Sequence, residues 1–280
     1  MAIEIKGLIK HYSSVQALRG IDLTFEDSKI YGLLGRNGAG KTTLLNILTG
    51  RQFATAGTAT LNGAPLAEND AALRHIYMLS EATYYPESMK VRDVFKWSAE
   101  FYPDFDKAYA DDLTGRFGLN VNSKVSGLST GYNTIFKLIV ALACGAPYLL
   151  LDEPVLGLDA NHRDLFYKAV IERYSKSPCC IVLSTHLVEE VSPLVEEVVI
   201  IHQGSILKHE TRDDLLAGGY TVTGSAAKVD AYTQGKTVIG TDAIGGLKTA
   251  YLLGARTEVP EGLEVTGMDL QRLFVQLTNV

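Results

Sequence analysis

The chain has 280 residues, 46% of them hydrophobic and 21% charged, enough for one large core, or a standard domain with a small appendage. A formal net charge of -6 argues against nucleic acid as the main partner, because binding a phosphate backbone draws on a basic face. Three cysteines in apolar runs (Cys144, Cys179 and Cys180) do not make a disulfide framework and point to a reducing, cytoplasmic compartment.

Ile3–Lys6 and Ile21–Phe25 alternate apolar and polar residues, the pattern of strands with one wet face. Ile30–Leu34 is apolar throughout, as a buried strand should be, and Thr42–Leu48 reads as a helix, so a glycine-rich loop joins the two. Gly57–Gly63 fits a hairpin arm and Ile76–Leu79 a further strand. From Val91 to Phe117 the pattern is helical, punctuated by Pro103. Thr134–Ala143 reads as an apolar helix before the buried strand Tyr148–Leu151, and Asn161–Tyr174 as an amphipathic helix. Ile181–Leu183, Val198–Ile201 and Ser205–Lys208 complete the strands of this part. Strands alternating with helices imply an α/β fold whose sheet has parallel members. The character changes around Gly218. Residues 1–217 are therefore taken as one domain and 218–280 as a small α+β accessory domain closed by a helix over Leu270–Leu277. The longest apolar run, Leu138 to Leu151, is interrupted by Gly145 and Pro147 and is too short to span a bilayer. No stretch near Met1 has the make-up of a secretory signal.

Gly35-Arg36-Asn37-Gly38-Ala39-Gly40-Lys41-Thr42 is glycine, four free positions, glycine, lysine and a hydroxyl residue, placed between a buried strand and a helix. Glycines let backbone N–H groups converge on phosphate oxygens, Lys41 neutralises the β- and γ-phosphates, and the Thr42 hydroxyl ligates Mg²⁺. The helix that follows turns its positive dipole end to the same place. Leu149-Leu150-Leu151-Asp152-Glu153 is a hydrophobic strand ending in two carboxylates. Asp152 is suited to hold Mg²⁺, and Glu153 to act as the general base on an attacking water. The alternative, a pair of solvated loop acids, loses ground beside a phosphate loop. His186 ends a second such strand, where parallel sheets gather their ligand contacts, and can donate to the γ-phosphate; a structural role is the competing reading.

Leu128-Ser129-Thr130-Gly131-Tyr132, ahead of an apolar helix and the Asp152-Glu153 strand, resembles the LSGGQ signature of ABC ATPases. Asp159 in Gly157-Leu158-Asp159 is similar to that family's D-loop, His186 to its switch histidine and Tyr12 to its adenine-stacking aromatic. Glu81 falls where the family has its Q-loop glutamine. The resemblance spans roughly Met1 to Ala217, with the motifs in family order. It implies a P-loop core with an antiparallel β subdomain and a helical subdomain. ATP would lie on Tyr12, Gly35, Asn37, Gly38, Gly40, Lys41, Thr42 and Thr43; Mg²⁺ on Thr42, Asp152 and Glu81; and Glu153, His186 and Lys41 would be catalytic. A second ATP-binding subunit, identical or not, would bring Ser129, Gly131 and Asp159 to the nucleotide in a head-to-tail sandwich. A separate membrane-spanning subunit would supply the pore, placing the chain on the inner face of the cell membrane. Within the family the chain is most similar to bacterial antibiotic and peptide exporters.

Three departures stand out. Thr130 and Tyr132 add bulk to the signature, where a partner's nucleotide is expected to dock, and Glu81 puts a carboxylate in place of an amide. Tyr84, Tyr85, Phe95, Trp97, Phe101 and Tyr102 either pack a helical layer or line a groove for a membrane subunit. A non-transport ABC ATPase acting on a macromolecular complex is the alternative function; it usually needs tandem cassettes or a coiled-coil insertion, and neither is present. For a small-molecule kinase or GTPase, the Leu128–Tyr132 segment and His186 would have no role.

Overall fold

The computed structural model describes residues 1–279. In chain order the elements are β1 (Ala2–Tyr12), β2 (Val15–Glu26), β3 (Ile30–Leu34), α1 (Lys41–Leu48), β4 (Ala56–Leu61), β5 (Ala64–Pro65), α2 (Asp70–Leu73) and β6 (Ile76–Leu79). Then come α3 (Val91–Phe101), α4 (Lys107–Arg116), α5 (Thr130–Ala143), β7 (Tyr148–Asp152), α6 (Ala160–Lys176), β8 (Cys180–Thr185), α7 (Val188–Val191), β9 (Glu197–His202) and β10 (Ser205–Thr211). The chain closes with α8 (Arg212–Ala217), β11 (Gly219–Ser225), α9 (Ala226–Thr233), β12 (Thr237–Ile244), β13 (Leu247–Leu253), β14 (Leu263–Gly267) and α10 (Leu270–Thr278).

A six-stranded sheet in the order β10-β9-β3-β8-β7-β6 forms the centre. Its strands run parallel except β10, which pairs antiparallel to β9. Both faces are covered, which is why these strands are apolar without alternation. Leu149 and Leu151 face the helical core with Ile139 and Phe136, while Tyr148 and Leu150 face the opposite core with Leu44 and Leu45. An antiparallel sheet, β2-β1-β4-β5, closes that second core through Ile3, Ile5, Leu8 and Phe25. The first pair runs well beyond the expected Ile3–Lys6 and Ile21–Phe25. A register shift between Ile5 and Leu8, with Gly7 at φ 55°, absorbs the irregularity and lets pairing continue to Tyr12↔Val15.

On the other side of the central sheet, α3, α4, α5 and α6 pack around Phe136 and Phe166, both wholly buried. The expected helix over Val91–Phe117 is two helices. Pro103 cannot donate into a continuing ladder, and the Asp106 carboxylate accepts from Tyr109 N at 2.9 Å to start α4 afresh. Helix α5 begins four residues earlier than its apolar run, because Ser129 caps it by accepting from Tyr132 N. Phe136→Ala should remove about 3–5 kcal/mol from stability by opening a cavity beside Tyr85, whose ring lies edge-on to it at 5.4 Å; urea denaturation reads that loss directly.

A third sheet, β12-β13-β11-β14, is wholly antiparallel and buries Tyr220, Val222, Ala250 and Leu252 against Val229 of α9. Helix α10 does not join that small core. Leu270, Leu273 and Phe274 return to the helical core, and α10 packs against α7 and α8. All three cysteines are buried and free, and burial pushes the Cys144 thiol up to about 12. Among the described residues no helix is long and apolar enough to cross a membrane.

Candidate nucleotide site

The site grows from the carboxyl ends of β3, β7 and β8. Between β3 and α1 the chain turns through Gly38 (φ 79°) and Gly40 (φ 110°). Gly40 has no substitute: its conformation is left-handed, and a Cβ there would sit 2.8 Å from Ala17 O. The first N–H groups of α1 have no intrahelical acceptor, and Gly40 caps the helix without a side-chain hydrogen bond. An anion is the fitting partner for such donors. Lys41, 6% exposed, donates to Gly35 O at 2.6 Å and stands 3.6 Å from Glu153 Oε1. The cavity in front of the loop measures about 450 Å³ and is lined by Asn37, Gly38, Lys41, Thr43, Glu81 and Glu153, with His186 and Thr42 also on its wall.

Asp152 and Glu153 are held by α1 and by the end of the adjacent strand β8. Thr42 Oγ1 donates to Asp152 Oδ2 at 2.6 Å and Ser184 Oγ to Asp152 Oδ1 at 2.6 Å. Thr185 Oγ1 donates to Glu153 Oε2 at 3.0 Å, and His186 Nδ1 lies 2.9 Å from Glu153 Oε1. Glu153 itself sits at φ 46°, a conformation costing about 1 kcal/mol for a side chain of this kind. Its N–H donates to Ser184 O at 2.8 Å and helps hold it there. The strain is spent on aiming a carboxylate into the cavity.

Mg²⁺ favours one or two carboxylates completed by water and phosphate oxygens over a cage of protein ligands. A hydroxyl and a carboxylate already in contact, Thr42 and Asp152, fit that demand, and no cluster of three or more His, Cys, Asp or Glu competes among the described residues.

The remaining expected residues lie elsewhere. Tyr12 is near the tip of the β1–β2 hairpin, its hydroxyl hydrogen-bonded to Gln52 and Lys10 Nζ 5.0 Å from its ring centre; Ala17, not Tyr12, forms that part of the cavity wall. Ser129 and Gly131 stand at the start of α5, outside the wall of the Lys41 cavity. Gly131 is pressed against the next loop, where a Cβ would come within 2.8 Å of Gly157 O. Asp159 caps α6, accepting from His162 N at 2.9 Å and meeting His162 Nδ1 at 2.9 Å; the His162 N–H is the first cause of a lowered carboxyl pKa. Tyr132 is half-buried, its ring edge-on to His162 at 6.0 Å within the same chain.

Three contributions were not foreseen. Ser184 and Thr185 orient the two carboxylates, and their signal was a polar pair closing the apolar strand before His186. Lys137, 6% exposed on α5, donates to Ser80 O and Glu81 O, each at 2.8 Å. Arg36 Nη1 donates to Asn279 Oδ1 at 3.2 Å, so the end of the last helix touches the phosphate loop; no local pattern announces such a contact.

A phosphate loop opening a helix beside a parallel strand that ends in paired carboxylates defines a P-loop nucleoside triphosphatase. The family model for ABC transporter matches residues 18–156. The ABC transporter ATP-binding protein YtrB of Bacillus subtilis (strain 168) is 27% identical over 213 residues, 76% of this chain and 73% of that protein. The aliphatic sulfonates import ATP-binding protein SsuB 2 of Xanthomonas axonopodis pv. citri (strain 306) is 31% identical over 208 residues, 74% of this chain and 69% of that protein. A dimeric ATP-binding cassette, solved in a post-hydrolysis state with ADP and phosphate, superposes with a TM-score of 0.66 at 19% identity, covering 75% of this chain and 98% of that one. The chain belongs to the ABC transporter family, among its ATP-binding and ATP-hydrolysing subunits.

Proposed function

We propose that this chain hydrolyses Mg·ATP to drive export through a separate membrane-spanning subunit, closing head to tail with a second ATP-binding subunit. The observation that carries the hydrolytic reading is the convergence of Lys41, Glu153 and His186 on one cavity, with Glu153 between the other two. Lys41 meets the β- and γ-phosphate charge. Glu153 accepts a proton from the attacking water, with its orientation held by Thr185 and His186. Bound at Thr42 and Asp152, Mg²⁺ supplies charge neutralisation to the phosphates. Glu81, on the same wall, adds a carboxylate toward that side.

The placement of Ser129 and Gly131 supports closure with a second subunit. They sit at a helix start outside their own chain's Lys41 cavity, so a nucleotide held by Lys41 would reach such a signature only from another protomer. Asp159 is presented at the next helix start, and Tyr12 stays a proposed adenine contact on the β1–β2 hairpin, although it is Ala17 of that hairpin that lines the cavity. We assign 1–217 as the ATP-binding domain and 218–280 as an accessory domain. Export rests on the resemblance alone, since a relative is an importer and nothing in the cavity carries direction. Sealed vesicles containing this subunit and its membrane partner, with ATP outside or inside, test it: accumulation on the ATP side would sink the export reading.

An apolar cavity of about 570 Å³ lies between Tyr84, Tyr85, Met89, Trp97, Phe101 and Tyr102. Tyr85 and Phe95 pack inward with the helical core, but Trp97 and Phe101 stack on one another at 6.2 Å while 54% and 72% exposed. Exposed stacked aromatics at a groove are the usual core of an interface, and we assign this one to the membrane subunit. Trp97→Ala should cut membrane association about tenfold or more, leaving ATPase turnover in solution unaltered; undiminished co-sedimentation with membranes would reject the assignment.

A further inference from the structure

Lys137 is the one charge in the apolar stretch Ile135–Ala143. Its ammonium is nine-tenths buried, yet no carboxylate pairs with it among the described residues; its acceptors are the carbonyls of Ser80 and Glu81. A buried ammonium held by neutral acceptors alone is costly, and burial does pull its pKa down, with Glu81 the one charged group opposing the fall. An apolar residue would relieve that cost but leave the Ser80 and Glu81 carbonyls without a donor, so hydrogen bonding accounts for part of the lysine's role. What the position also offers is proximity. Lys137 lines a cavity of about 260 Å³ together with Glu81, Asp152 and Glu153, and Glu81 also lines the Lys41 cavity.

We infer that Lys137 is the positioning and compensating charge for Glu81: it fixes the end of β6 through two carbonyls and cancels at the nucleotide site the repulsion that a third carboxylate, beside Asp152 and Glu153, would exert on a triphosphate. The inference rests on the nucleotide-site reading above. A negative group facing polyphosphate is unfavourable, and a cation lining the same cavity offsets that field. Because Lys137 belongs to α5, the helix that Ser129 caps, it also joins the signature segment to the Glu81 loop. Thr83 Oγ1 reinforces that junction by donating to Asn133 Oδ1 at 2.9 Å.

The test is a double-mutant cycle on the full chain, reading the dissociation constant of Mg·AMPPNP by calorimetry at fixed ionic strength. Lys137→Met, close in shape but uncharged, should weaken binding about tenfold. Adding Glu81→Gln should recover most of that loss, the double variant being compared with Glu81→Gln alone. A double variant as weak as Lys137→Met would reduce Lys137 to a structural strut and overturn the inference. Tenfold tightening by Glu81→Gln alone would also overturn it, by showing the carboxylate uncompensated; this arm stands even where Lys137→Met fails to fold. Absence of binding by the unmodified protein sinks the site reading itself, whereas normal binding without coupling sinks only the inference.

Discussion

Glu153→Gln should lower ATP turnover by about 100- to 10,000-fold while leaving Mg·ATP binding within a few-fold of normal. The amide occupies the carboxylate's volume and its oxygen still accepts from Thr185 Oγ1, so the geometry at φ 46° survives. What it cannot do is take a proton from water. It also removes the negative charge 3.6 Å from Lys41, which frees that ammonium for the phosphates. Two subunits closed on unhydrolysed ATP should therefore accumulate, and size-exclusion chromatography with ATP reads the population. Turnover near the normal rate would show that another group activates the water. A variant that keeps ATP but stays monomeric would mean that closure needs a different partner subunit.

Lys41→Ala should reduce turnover by about 100-fold or more and weaken nucleotide binding as well. Among the described residues Lys41 is the only ammonium on the wall of the phosphate cavity, where its low exposure strengthens each contact with an anion. Its removal also leaves Glu153 facing the cavity without its cationic neighbour, so two negative groups would meet across the gap. Steady-state kinetics with a fluorescent ATP analogue separates the two losses. Substantial surviving turnover would refute the assignment of the phosphate loop. The two variants differ in kind, since Glu153→Gln divides binding from chemistry and Lys41→Ala damages both.

Much of the site was legible because its chemistry is local. Eight consecutive residues from Gly35 to Thr42 carry the cradle, and the order apolar strand, Asp152, Glu153 is itself a statement about buried charge. The central strands were equally plain, since a sheet covered on both faces demands unbroken apolar runs such as Tyr148–Leu151 and Ile30–Leu34. The third sheet was not legible in that way. Its edge strand β12 is mostly exposed and carries Gly240, β11 is buried nearly throughout although rich in Gly and Thr, and β13 buries only two residues, so none of them shows a plain alternation. The paired glycines at 245 and 246, both at positive φ between β12 and β13, were the hairpin signal in that stretch.

The sequence alone determined the class of chemistry and the alternation of strand and helix, because both depend on residues within a few positions of each other. Tertiary structure decided which distant groups meet: Thr42 with Asp152, His186 with Glu153, Lys137 with the Glu81 loop, and Arg36 with Asn279. It also set the Tyr132 ring edge-on to His162 of the same chain. Those pairings arise from strand order and helix packing across separations of up to 243 residues, and no periodicity in a linear chain encodes them.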